Sequence, residues 1–556
     1  MEATGQPLLR TLDPLMNRPT PTTTIASYFE AFSSTHSWPE LCAWPPDVFA
    51  FTNLVLDHTE AYRFAVSPPA GSTWPPVPGW DGLVTEVAEE WRQIAVRSGE
   101  SIPDAVATLW DVILDNLDTP LASLRGGAAP RLLEAILTLH ATSDETCRGL
   151  VWSPDSSPGR AFERRAWNLL AEHGSLSNID PARVRILPKL HSASKGITIR
   201  SFSRYLALTY ESVDVHWRRI ELLGDMRLKR RDFNILLAPW PLTIEAKAFT
   251  FLNGPLENMD PQTFGFFRYD PTSPLDTEAL TRLVEEAKDT ASRIDALVLP
   301  EGAVEAGEVT AVEDLMAEQG VISLMIGVRE PPTDTALGRN YVHVAVHTKN
   351  GWERYEQPKH HRWCLDGDQI RQYHLSRALD PSKSWWEAIE LPARALGVID
   401  VGGGAITAPL VCEDLARMDE VADLLRRIGP SLVVALLLDG PQLPQRWPCR
   451  YASVLADEPG SAVLTLSSLG MVTRCRPAGK SRSRIIALWS DPTSGQHQIE
   501  LAKGCHGVLI TASMEPTTVW TADGRRHYEN TPTITLGDVH QLKIHARQKH
   551  HESIAS

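Results

Sequence analysis

The chain has 556 residues, 43% hydrophobic and 22% charged, a balance that supports about two to four globular domains with sizeable cores. Its formal net charge of -15 argues against a chain-wide nucleic-acid surface, because phosphate binding needs clustered Lys and Arg. Seven cysteines, odd in number and without a CxxC pair, exclude a disulfide framework and a structural zinc pattern, and fit reduced thiols in the cytoplasm.

The segment from Met1 to Pro21 lacks a basic start followed by an apolar core, so no signal peptide is expected. The longest apolar run, Leu432 to Leu438, is strand-sized, so no membrane span is expected either. Residues 1 to about 25 are rich in Thr and Pro and read as loose. Aromatics crowd the stretch from Ala26 to Val66, and Ser67 to Trp80 is too dense in proline for helix or strand. Helical spacing of apolar residues follows at Leu83 to Arg97, from Ile102 onward, at Arg131 to Leu139 and at Arg160 to His173. Residues 1–200 therefore read as a mostly helical N-terminal region, without a catalytic constellation. Residues 201–230 form a bridge that ends in a basic cluster, Arg218, Arg219, Arg227, Lys229, Arg230 and Arg231. A short charge run of this kind is more often a solvated face at a domain boundary than a nucleic-acid site.

From Asp232 the texture changes. Phe233 to Pro239, Ala296 to Glu301 and Val321 to Val328 read as buried strands, with an amphipathic helix at Leu280 to Ile294. Tyr341 to Thr348 alternates with period two, Asn350-Gly351 marks a hairpin turn, and Trp352 to Tyr355 returns. Further strands are expected at Leu432 to Leu438, Ala462 to Leu466, Ile485 to Leu488 and Val508 to Ile510. Strands that alternate with helices and then pair as hairpins predict a layered α/β domain over 231–515. Residues 516–556 read as a C-terminal extension or tail, polar and His-rich from His540 to His551.

Three residues in this domain can do chemistry together. Glu301 ends one strand, Lys359 follows the hairpin, and Cys412 ends the run Pro409-Leu410-Val411 before Glu413 and Asp414. Layered α/β sheets build sites at strand ends. A cysteine after an apolar run is, by itself, more often a small buried hydrophobe than a catalyst. With the other two residues it gains a purpose. A thiol needs its proton removed, a carboxylate can remove it, and an ammonium can hold the oxyanion formed on an attacked carbonyl. The backbone N–H of Glu413 would be a second oxyanion donor, and Asp439, after its own apolar strand, can touch substrate or cap the strand end.

These residues stand in Leu297-Val-Leu-Pro-Glu301, Tyr355-Glu-Gln-Pro-Lys359-His-His and Pro409-Leu-Val-Cys412-Glu-Asp-Leu. Leu436-Leu-Leu-Asp439 and Ala462-Val-Leu-Thr-Leu-Ser-Ser-Leu-Gly470 complete the set. In this order the motifs resemble the nitrilase, or carbon–nitrogen hydrolase, superfamily over residues 230 to 512. The resemblance implies a four-layer α-β-β-α sandwich, usually paired as a homodimer or larger oligomer. It implies Glu301 as general base, Lys359 as oxyanion support and Cys412 as nucleophile. The substrate would be a small-molecule amide or nitrile, with no metal or organic cofactor.

Members of that family usually carry a second glutamate shortly after the lysine. Here the nearby acids are Asp366 and Asp368, which can substitute for it as substrate-binding residues. Trp385-Trp386 lies in a long stretch before Cys412 that could form a lid or partner surface. The spacing of His360, His361, Cys364 and His374 fits an active-site loop better than a zinc site. Val401 to Gly404 and Gly479-Lys480-Ser481 lack the rest of a phosphate-binding loop. The competing function is a regulatory nitrilase-fold protein in an assembly, such as bacterial antiphage defence beside a reverse transcriptase, with a protein partner on the N-terminal region.

Overall fold

The computed structural model describes residues 20–32, 37–96, 102–151, 160–191, 196–210, 213–218, 232–252, 260–271, 273–333, 336–401, 405–417, 421–475, 482–515, 517–527 and 533–545. Arg219 and Arg227 to Arg231 of the basic cluster, Gly402 to Gly404 and Gly479 to Ser481 lie outside the described residues. Among the described residues no helix is long and apolar enough to cross a membrane.

The chain divides into two compact units. The first comprises Met1–Ser212, Asp423–Gly429 and Pro516–Thr531. It is mostly helical, as the apolar periodicity predicts, with its longest helices at Pro45–Thr59, Trp80–Ile94 and Pro130–Thr146. Pro130–Thr146 is buried along nearly its whole length and packs against both of the others. Its last turn carries Asp144 and Glu145, which would be costly in a core if unpaired. Arg525 answers them: its guanidinium donates to Asp144 at 3.0 Å, Glu145 at 3.3 Å and Asp523 at 2.9 Å. Part of the stretch expected to be a tail is thus a core element of this unit, and it includes the strand pair Val519–Trp520 and Arg526–His527.

The second unit is a mixed α/β body of Val213–Ala422, Pro430–Glu515 and Pro532–Ser556. One seven-stranded sheet runs, edge to edge, Gly351–Pro358, Arg339–Thr348, Ser323–Glu330, Ala296–Glu305, Asp232–Leu237, Gly507–Glu515 and Thr533–Leu542. The other runs Gly495–Glu500, Ile485–Asp491, Ala462–Ser467, Leu432–Leu437, Ile406–Val411, Ala395–Asp400 and Asp214–Arg218. The two sheets touch face to face. Helices Thr277–Thr290 and Val309–Glu318 cover the outside of the first, and Trp447–Asp457 packs on the second. Helix, sheet, sheet, helix is the layered sandwich the sequence predicts.

Period two explains why the layers adhere. Leu297 and Leu299 point to the helix side, into a core with Leu280, Leu283, Val312 and Met316. Each such side chain contributes about 1.5–3 kcal/mol of burial. Ile406–Val411, Leu432–Leu437 and Ala462–Ser467 are parallel and buried at every position, which explains their unbroken apolar runs.

Two boundaries differ from the sequence expectation. No separate bridge appears among the described residues of 201–230: Leu206–Thr209 pairs with Arg185–Pro188 in the first unit, and Asp214–Arg218 edges the second sheet. Thr533–Leu542, read as tail, is an edge strand paired with Gly507–Glu515. Its central residues are half or fully exposed, so its polar composition suits an edge and hides the strand from a hydrophobicity pattern.

Candidate active site

Glu301 owes its position to a bulge. Leu299 pairs with Ile326 and Val304 with Val328, so Pro300 to Ala303 oppose the single residue Gly327. A Cβ on Gly327 would stand 2.2 Å from the Pro300 carbonyl oxygen and 2.5 Å from Glu301 Cα, which explains the glycine. Gly302 turns the bulge at φ +63°. Glu301 is thereby turned inward and buried at 1% exposure.

Lys359 leaves the hairpin strand with its N–H on the Asn340 carbonyl at 2.9 Å, and its side chain is equally buried. The ammonium donates to Glu301 Oε1 at 2.7 Å and to Glu387 Oε2 at 2.6 Å. Asn340 Nδ2 donates to the same two carboxylates, at 2.8 and 2.7 Å. Leu438 N–H donates to Glu301 Oε2 at 2.6 Å.

Glu387 is the acid that the sequence reading misses. It ends the strand Ser384–Glu387, which lies in a four-stranded sheet with Phe264–Tyr269 beside it. Asp366 and Asp368 do not reach Lys359. Asp366 caps the helix Gly367–Gln372, accepting the N–H groups of Asp368 at 3.0 Å and Gln369 at 2.8 Å. Asp368 is 91% exposed and pairs with Arg371 at 2.7 Å. The available signal for Glu387 was its place directly after the Trp385-Trp386 pair, as the acid that closes the short strand Ser384–Glu387.

Cys412 begins a tight 3₁₀ turn, Cys412–Leu415, at the end of the strand Ile406–Val411. Its φ is +47°, a left-handed conformation that costs a side-chain-bearing residue about 1–2 kcal/mol. Cys412 lies within electrostatic reach of Glu301, Lys359 and Asp439. Asp414, two residues on, ties this turn to the lysine segment. It accepts the His360 N–H at 3.0 Å and bonds His361 Nδ1 at 2.8 Å. His360, His361, Cys364 and His374 do not form a metal group: among the described residues no three His, Cys, Asp or Glu side chains could hold an ion.

The charges follow from burial and neighbours. Burial, then Glu301, pushes the Cys412 thiol well above its ordinary value, against the pull of Lys359 and the Leu438 N–H. Burial also raises the Glu301 carboxyl, as does Glu387, while Lys359 opposes. Burial by itself would lower the Lys359 ammonium, but Glu301 and Glu387 outweigh it, and the net shift is upward. One ammonium between two carboxylates leaves a surplus negative charge, which adds to burial in raising the Glu301 carboxyl. The resting thiol is protonated, with a proton acceptor in its neighbourhood.

A cavity of about 330 Å³ is lined by Cys412, Glu413, Trp363, Tyr373, Arg417, Asp439, Arg446 and Arg450, among others; Glu301, Lys359 and Glu387 are not part of its lining. Asp439 Oδ1 accepts from Tyr373 and, at 2.5 Å, from Arg446. The Glu413 side chain pairs with Arg417 at 3.2 Å.

No protein-family model matches the chain, and no curated protein matches it either. Solved structures do. Saccharomyces cerevisiae Nit3, a member of branch 10 of the nitrilase superfamily, is similar over 51% of this chain and 90% of its own, at 15% identity and a TM-score of 0.31. A mutant of the amidase from Nesterenkonia sp. AN1, carrying the acetamide moiety of fluoroacetamide on its active-site cysteine, is similar over 53% and 93%, at 12% identity and 0.30. A CN-hydrolase superfamily protein from Xanthomonas campestris is similar over 51% and 91%, at 15% identity and 0.30.

Proposed function

We propose that the chain is a thiol hydrolase that cleaves a non-peptide carbon–nitrogen bond of an amide or nitrile through Cys412. The observation that carries this reading is a buried carboxylate–ammonium–carboxylate cluster within electrostatic reach of a cysteine held at φ +47° on a cavity wall. In an amide reaction Glu301 takes the Cys412 proton as sulfur bonds to the carbonyl carbon. The oxyanion is held by the Lys359 ammonium and the Glu413 N–H. The tetrahedral species collapses, the C–N bond breaks, and Glu301 returns the proton to the departing nitrogen. Water then adds to the thioester with Glu301 again as base, and the acid leaves.

The alternative, a fold kept only for assembly, gives no reason for this cluster. A buried ion pair is often no more stabilising than apolar residues of the same volume. The test is ammonia release by the full chain from a panel of primary amides and nitriles, with Cys412→Ala as control. Release is expected to fall to the uncatalysed level in the variant. Turnover that survives Cys412→Ala would exclude the mechanism.

A further inference from the structure

Asn340 is the second residue of the strand Arg339–Thr348. Tyr341 and Ala345 of that strand lie in the core on the helix side, so period two turns Asn340 to the opposite face, beside the buried Val342, Val344 and Val346. An amide on such an apolar face needs partners. It finds both acids of the cluster: Nδ2 donates to Glu301 Oε1 at 2.8 Å and to Glu387 Oε1 at 2.7 Å. Both of its N–H groups are thereby spent. Its carbonyl oxygen Oδ1 is buried, and no described residue donates to it. Turning the amide over would set Oδ1 against two carboxylates, so their charges fix its orientation. A buried acceptor left without a donor is a cost that packing alone does not explain.

The consequence falls on the two oxygens of Glu301. A carboxylate oxygen offers about two lone-pair sites. Oε1 has both filled, by Lys359 at 2.7 Å and Asn340 at 2.8 Å. Oε2 accepts one bond, from the Leu438 N–H at 2.6 Å. That same N–H acts on the Cys412 sulfur. The open site of Glu301 is therefore on the oxygen that shares a donor with the thiol. Resting on the hydrolase reading above, we infer that Asn340 is a positioning residue for the general base: by filling Oε1 together with Lys359, it leaves Oε2 as the atom that receives the Cys412 proton. In that step the S–H bond breaks, an O–H bond forms on Oε2, and sulfur keeps the electron pair. Asn340 is not part of the cavity lining, so it acts through Glu301 and not on the substrate.

Thiol alkylation reads this without a substrate. The full-length protein is labelled with iodoacetamide from pH 5 to pH 10, and each cysteine is followed by peptide mass spectrometry. Asn340→Leu keeps the volume and removes the amide. Glu301 then loses a donor to its charged form and holds a proton to higher pH, so the acid limb of the Cys412 profile should move up by about one pH unit. Cys449, buried in the same unit, should label no faster than in the parent, which reports an intact fold. Asn340→Ser, with one donor in place of two, should move the limb the same way by less, and it replaces the leucine variant if Cys449 becomes reactive there. An unmoved limb in the folded variant overturns the inference. With any amide that releases ammonia, Asn340→Leu should lower kcat at least about 10-fold and leave KM unchanged. A loss carried by KM would make Asn340 a binding residue and overturn the inference as well. A moved limb with no ammonia release from any amide or nitrile would leave the proton path standing and overturn the hydrolase reading instead.

Discussion

Replacing Lys359 by Met removes the ammonium while keeping a side chain of similar length. Two hydrogen bonds go, and Glu301 and Glu387 remain with side chains 0% and 8% exposed. Removing one partner of a buried pair typically costs about 3–5 kcal/mol. Here the cost depends on pH, and the sign can be worked out. Glu301 is already raised, by burial and by Glu387, and Lys359 is what holds it down. A carboxyl raised above its unfolded value of about 4.3 keeps its full contribution below that value and loses it as pH rises through the folded one. Lys359 in the parent is itself raised, so its charge does not change across neutral pH. The deficit of Lys359→Met relative to the parent should therefore widen from pH 5 to pH 8. Scanning calorimetry at both pH values checks this, with a loss of the order of 5 °C expected at pH 8 and less at pH 5. A deficit that is constant, or that shrinks as pH rises, would refute the charge assignment.

Other variants probe the remaining parts. Glu387→Gln should lower kcat at least about 10-fold by loosening Lys359, whereas Asp368→Ala should leave kcat unchanged and stability within about 0.5 kcal/mol. The pair is read by ammonia release and thermal midpoint. Gly327→Ala should destabilise by about 3 kcal/mol and abolish turnover, since its Cβ would enter the Pro300–Glu301 backbone; near-parent activity would show that the bulge is not fixed by this contact. Cys412→Gly should be more stable than Cys412→Ala by about 1 kcal/mol, because glycine adopts φ +47° without strain. Equal midpoints for the two inactive proteins would remove strain from the account.

The legible part of the candidate site was the set of side chains that follow apolar or alternating runs, although Glu301, expected to end its strand, stands at a bulge inside Ala296–Glu305. Glu301, Lys359 and Cys412 each follow an apolar or alternating run, the first two on one sheet, where they bond each other, and the third on the other sheet. Glu387 was illegible because its partner, Lys359, is 2.6 Å away in space but lies beyond a capped helix and a tryptophan pair along the chain. Proximity in sequence favoured Asp366 and Asp368, yet a local hydrogen bond to a helix N-terminus claimed the one and solvent the other. The helical and layered character of the two units followed from periodicity. The edge strand Thr533–Leu542 did not, since an edge needs little apolar surface. Arg525 was equally hidden: its role comes from Asp144 and Glu145, far upstream.

Asn340 and Lys359 each bridge the same two carboxylates, which closes a loop of four contacts. Such a loop resists any swing of the lysine, because moving it breaks two bonds at once. The ammonium is then an anchored charge, and under the proposed hydrolase reading a fixed landmark to which a substrate must be brought. On that reading, discrimination among amides would fall to whatever grips the other end of the molecule.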